Sequence, residues 1–241
     1  APNNASLILI GDFEIAQALR LAEKYYGGYA PKELPKYELP DEPEQKAKKE
    51  RTQTHPLANA NFLSLGYKIP DASHPDIAAL EVIGSILTTG DGSILEQDLV
   101  QKGIASHVSA GPFRTRFPGL FSVSIQMAPG KSDNAALGPL NKALERIKDG
   151  KISAEEIERA RNQYLLNAYN ELLDSSALGR NLGESLVSTD NYLREFQLLD
   201  EMKKVNTKDL QRVARAYLVD ERLSLRSEEH TSELQSRETI S

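Results

Sequence analysis

The chain has no cysteine and no tryptophan, and only two methionines. Without cysteine there are neither disulfides nor thiolate-held metals, and the redox character of the compartment stays open. No run of 18 apolar residues occurs, so no segment reads as a membrane-spanning helix. Basic residues are in the minority: 29 Lys and Arg stand against 35 Asp and Glu, a net charge of −6. No basic cluster is dense enough to suggest nucleic acid as a partner. A phosphate-binding loop is missing too. Gly90-Asp91-Gly92-Ser93 lacks both the P-loop lysine and a full GxGxxG spacing, so it reads as the start of a helix.

What is present is a chain of 241 residues, 39% hydrophobic, long enough to bury one large core or two small ones. Leu7-Ile8-Leu9-Ile10 is apolar on both faces and predicts a strand covered on both sides. Asp12 is placed to cap a helix whose stripe is Ile15, Ala18, Leu19, Ala22 and Tyr26, ended by Gly27-Gly28. From Tyr29 to Pro56 five prolines stand among acidic and lysine-rich stretches, predicting an extended, solvated connector.

A second unit begins at about Leu57. Leu63, Leu65, Tyr67 and Ile69 alternate with small or polar residues, the period of a strand. Ser73 and Pro75 predict a helix start, followed by the stripe Ile77, Leu80, Ile83, Ile86 and Leu87. Leu95, Leu99 and Val100 mark a short helix. A strand then sets Ile104, Ser106, Val108 and Ala110 against Ala105, His107 and Ser109. Phe121, Val123, Ile125 and Met127 give the cleanest strand. Three or four helices follow. Ser153-Ala154-Glu155-Glu156 is a capping box, and Thr207 opens a helix bearing Leu210, Val213, Ala214 and Tyr217. This order is that of an α+β layer rather than alternating βαβ units.

Three stretches together resemble the pitrilysin/insulinase (M16) zinc metallopeptidases, the inverted HxxEH family. They are Pro2–Phe13, then Leu65–Pro70 with His74-Pro75-Asp76 and Ala79–Ile83, and Thr88–Pro112. The resemblance implies α+β half-domains, each an antiparallel sheet packed with helices in two layers, with four enclosing a chamber for peptide substrate. Residues 1–28 would be the last strand and helix of an upstream half-domain, 29–56 a linker and 57–225 a C-terminal-type domain. Residues 226–241 resemble a translated sequencing adapter and are expected to be a disordered tail.

In that family two histidines and a downstream glutamate hold zinc, which polarises the carbonyl and activates water. Here the histidines are His55, His74, His107 and His230, and no two are four apart. Neither HxxEH nor HExxH can be written. No catalytic residue, metal ligand or cofactor is therefore assigned to this chain, and zinc is expected in the complete protein. Its expected partners are a missing HxxEH half-domain and a further module, in the same chain or a partner subunit. Some relatives grip substrate with an Arg and a Tyr where this chain has Val100 and Ser106. That role does not transfer.

Ser106, His107 and Phe113 are left as candidates for lining the chamber. Asp12 and Glu14 read as helix N-terminal charges rather than a paired acid, and Tyr164 and Tyr169 as helix core. Arg114 and Arg116 read as a solvated loop, with contact to an acidic substrate as the alternative. An inactive processing or assembly subunit is the competing function. An unrelated α+β binding domain is the weaker third. Relatives with proline-rich connectors point to a periplasmic or otherwise exported location.

Overall fold

The computed structural model describes residues 1–35, 40, 42–55 and 60–230. Pro56, the unit boundary expected at Leu57 and the stretch 231–241 lie outside the described residues. Its strands are β1 (Lys49–His55), β2 (Phe62–Ile69), β3 (Ala105–Phe113), β4 (Gly119–Met127) and β5 (Leu223–His230). Its helices are α1 (Ile15–Tyr26), α2 (Ile77–Thr88), α3 (Asn134–Lys148), α4 (Ala154–Leu172), α5 (Ser175–Thr189), α6 (Arg194–Met202) and α7 (Thr207–Tyr217). Among the described residues five α-helices thus follow β4, where the sequence pattern gives three or four.

The strands form one sheet in the order β1-β5-β2-β4-β3. The β5–β2, β2–β4 and β4–β3 pairs are antiparallel, as expected for the class, while β1 joins β5 in parallel. Alternation in β2 and β4 sends Leu63, Leu65, Tyr67, Ile69, Phe121, Val123, Ile125 and Met127 to one side, all nearly fully buried. Burying each such large side chain contributes roughly 2 kcal/mol. On that side α2 lies against β3 and α7 against β2, with α4 and α6 packed on α2. Enclosed between sheet and helices, α2 is buried at every position except Thr88, not along a stripe alone.

Several expectations need correction. Residues 5–11 form no ladder among the described residues, so the predicted first strand is an extended segment after a 3₁₀ turn at Pro2–Asn4. Its apolar residues find no sheet partner, and Leu7 and Leu9 are about half exposed. The cap position of α1 is Glu14, not Asp12, and that of α2 is Asp76, not Ser73. The Ser73 N–H is held by Asp71 Oδ1 in a turn that delays the helix.

The connector is not wholly solvated. Gln45 is buried with its Nε2 donating to Leu223 O at 2.7 Å, and Lys49–His55 becomes the polar edge strand β1. Backbone pairing needs no apolar side chain, and charges suit an edge. For the same reason β5 runs past residue 225 into the stretch expected to be a disordered tail, pairing Arg226 with Ser64 and Glu228 with Phe62.

In β3 the predicted alternation fails at its start. A bulge lies between Ala105, opposite Met127, and His107, opposite Gln126. The extra residue, Ser106, shifts the phase, so Ala105 and Val108 both turn inward. Before it, the expected short helix is present and winds as a π-helix over Glu96–Val100. The capping boxes are well formed: Ser153 with Glu156, and Asn206, one residue before Thr207, with Asp209.

Candidate functional site: an uncovered sheet face and its hairpin

Residues directly opposite in the ladder point to the same side of a sheet, so the register maps the face turned away from the helices. One row across it reads Ser224, Gly66, Ser122, Gly111. The next reads Arg226, Ser64, Ser124, Ser109. All of these are exposed or half-buried. The centre of the face is therefore a pavement of serine and glycine. Larger side chains stand at its two ends. Glu228, Phe62, Gln126 and His107 form one end row; Lys68, Leu120 and Phe113 form the other. Leu120 folds over the glycine row, near the place where Gly66 lacks a side chain.

The three sequence candidates fall on this strand but do not converge. Ser106 sits in the bulge, its Oγ donating to Gln126 O at 3.3 Å. His107 stands in one end row and Phe113 in the other, six residues apart, or roughly 20 Å of strand. Phe113 is 68% exposed and also lines a cleft of about 960 Å³. The opposite walls of that cleft are α5 and the extended segment through Ile8.

Two arginines clamp the hairpin that follows Phe113, correcting the expectation of a solvated loop. Arg116 makes a paired contact with Asp190, Nη1–Oδ1 at 3.0 Å and Nη2–Oδ2 at 2.6 Å, at the left-handed C-cap of α5. Arg114 is shared by two carboxylates from different helices. Its Nε lies 3.2 Å from Glu81 Oε1 in α2, and its Nη1 lies 2.7 Å from Glu195 Oε2 in α6. Tyr164 of α4 lines the same small cavity as Arg114 and Glu195, and its presence favours the ionised form of Glu81. Burial pushes Glu81 up to about 7; Arg114 and Tyr164 oppose that rise and Glu195 adds to it. Burial also holds the Tyr164 hydroxyl well above its ordinary value, with Glu81 adding to the effect. For Arg114 the two carboxylates outweigh burial and fix the positive charge.

This four-residue cluster has only a faint sequence signal: one acid, Glu81, inside the apolar run Ala78–Leu87. Tyr164 packs partly against the core as expected, but Tyr169 is 45% exposed, with Lys203 Nζ 5.9 Å from its ring centre.

The described residues do not fit a catalytic zinc. His74 Nδ1 accepts the Asp76 N–H at 3.1 Å. Asp76 in turn is committed to Arg212, at 2.6 and 3.1 Å, and to the Tyr217 hydroxyl at 2.9 Å. His107 faces Gln126 in the exposed end row. Among the described residues, no group of three or more His, Cys, Asp or Glu is placed to hold a metal ion. Among them also, no helix is long and apolar enough to cross a membrane.

Comparison with known proteins agrees with this arrangement. The zinc protease PqqE of Helicobacter pylori is 25% identical over 229 residues, covering 91% of this chain and 50% of that protein. The chain thus spans about half the length of the curated relative it matches. The crystal structure of a Helicobacter pylori protease superposes with a TM-score of 0.83 at 20% identity, over 91% of this chain and 53% of that one. The inactive peptidase domain of a Bordetella parapertussis protein matches at 28% identity and a TM-score of 0.63, over 72% of this chain and 94% of that one. Residues 1–164 match the family described as the peptidase M16 inactive domain, and the chain belongs to that family.

Proposed function

We propose that this chain is the non-catalytic half of a zinc-dependent endopeptidase, forming one wall of a chamber in which the upstream half holds the zinc and cleaves peptides. The carrying observation is the sheet face that the helices leave open across β2, β4 and β3. Among the described residues, the connector at Glu42 and Gln45 touches only the Lys68 and Ser224 edge of that face. Its serine and glycine rows offer an extended polypeptide neither a deep pocket nor a large apolar contact, so the wall confines without trapping. Residues 1–28 fit the same reading. The helix α1 has no buried residue and keeps Ile15, Leu19 and Tyr26 largely exposed, the surface an upstream half-domain would cover.

The test is to express the reading frame extended upstream of Ala1. With the upstream half present, a quenched unfolded peptide should be cleaved, and a chelator should abolish cleavage. Residues 1–241 alone should leave it intact. An extended protein that carries no HxxEH, binds a partner and cleaves nothing would instead identify an assembly subunit.

A further inference from the structure

Around Arg114 two buried carboxylates share one guanidinium. The side chains of Glu81 and Glu195 are 11% and 13% exposed, and that of Arg114 30%. Among the described residues, no second cation is ion-paired with either carboxylate. Arg116 is engaged with Asp190, and Arg194 with Glu201 and Ala72 O. The other titratable neighbours are Tyr164 and Glu171, both of α4, and Glu171 adds negative potential at Tyr164. With both acids ionised, the cluster carries a net negative charge largely shielded from water, a costly state that one proton removes.

We propose that Glu81, Arg114, Glu195 and Tyr164 form a one-proton latch that couples the grip on the Phe113 hairpin to the protonation of a buried carboxylate. The proton goes to Glu81. Its contact with Arg114 is the longer, 3.2 Å against 2.7 Å for Glu195, and it sits in the most enclosed helix of the fold. Ionised, Glu81 and Glu195 hold Arg114 between α2 and α6. Protonated, Glu81 loses its ionic hold on the guanidinium, while Glu195 keeps its direct bond. The hairpin is then anchored to α6 but no longer to α2. Because Phe113 precedes Arg114, the wall of the cleft responds to the same proton.

Carbon NMR of glutamate-labelled full chain, combined with amide hydrogen exchange, tests the latch. One carboxyl resonance should titrate near pH 7 and vanish in Glu81→Gln. In Glu195→Gln it should persist, with its midpoint moved toward the ordinary glutamate value. Hairpin amides around Arg114, corrected for intrinsic exchange, should lose roughly tenfold protection below the midpoint. In Glu81→Gln they should sit at the lower level at every pH. Circular dichroism of each variant confirms that the fold is retained, and the Gln substitutions keep side-chain shape. A Glu81 carboxyl that titrates as an ordinary surface glutamate overturns the proposal. So does hairpin protection that is flat from about pH 5.5 to 8, a range bracketing the midpoint.

Discussion

A methyl group placed on Gly84 of α2 would stand 2.7 Å from the carbonyl oxygen of Ala110 in β3. Helix and strand approach so closely there that Ala110 N–H donates to Thr88 Oγ1 at 3.0 Å, one helical turn further on. Gly84→Ala must therefore push backbone against backbone. It is expected to cost about 1–3 kcal/mol despite alanine's better helix propensity. Gly183→Ala in α5 is the contrast, because its new methyl would meet only the tip of Ile8, at 3.0 Å. That tip can swing aside, so the substitution should be neutral or stabilising by up to about 1 kcal/mol. Urea midpoints at constant m-value decide between the two. Equal losses at both positions would contradict the distinction.

The sheet core was legible because period-two alternation reports burial directly: Leu63 to Ile69 and Phe121 to Met127 lie where the pattern puts them. The capping box at Ser153 was equally plain. Other features depend on partners distant in sequence. Whether Leu7-Ile8-Leu9-Ile10 becomes a strand depends on a neighbouring edge, and none of its own residues encodes that edge. The polar segment Lys49–His55 became a strand because β5 offered one. The bulge at Ser106 left no mark in composition, and it reverses the facing of Ala105. Arg114 looked like a loop cation because its carboxylates lie 33 residues before it and 81 after it. The absence of paired histidines, by contrast, was readable at once.

Arg114 and Arg116 differ in cost though they stand two residues apart. Arg116 and Asp190 are 51% and 73% exposed, and an exposed pair contributes at most about 1 kcal/mol. Arg114→Ala strands two buried carboxylates, a loss of about 3 kcal/mol or more. Chemical denaturation of the two alanine variants at neutral pH checks this ranking. Adding Glu81→Gln to Arg114→Ala should recover part of the loss, since one stranded charge disappears. A double variant no more stable than Arg114→Ala would count against charge as the cause.

The two capping boxes should act independently, since they close different helices. Ser153→Ala removes the acceptor for Glu156 N–H, held at 3.1 Å, and Asn206→Ala removes the acceptor for Lys208 N–H at 2.9 Å. Each is expected to destabilise by about 1 kcal/mol, and the double variant by about the total. Thermal unfolding of the three variants measures it.

Residues 1–241 alone should retain no stoichiometric zinc after dialysis, because His74 is bonded to the Asp76 backbone and His107 lacks a converging donor set. Elemental analysis is the check. About one tightly held zinc per chain would require a donor set that the described residues do not form.

Stability should respond to pH with opposite slopes in two windows. Asp76 is held below the ordinary aspartate value, chiefly by its hydrogen bond to Arg212 and further by Tyr217, against the opposing effect of burial. Its contribution is present above the unfolded value of 3.8 and disappears as pH falls through the lower folded value. Glu81 works the other way. Burial raises it from 4.5 to about 7, so the folded chain binds a proton that the unfolded chain has released. Stability therefore declines as pH rises across that interval and levels off above it. At about 1.4 kcal/mol per pH unit, Glu81 alone contributes a decline of about 3 kcal/mol. Asp76→Asn should flatten the acid limb and leave the neutral limb intact, whereas Glu81→Gln should flatten the neutral limb only. Urea denaturation at half-unit pH steps reads both slopes. A neutral limb unchanged by Glu81→Gln would assign the titration to another group and remove Glu81 from the account.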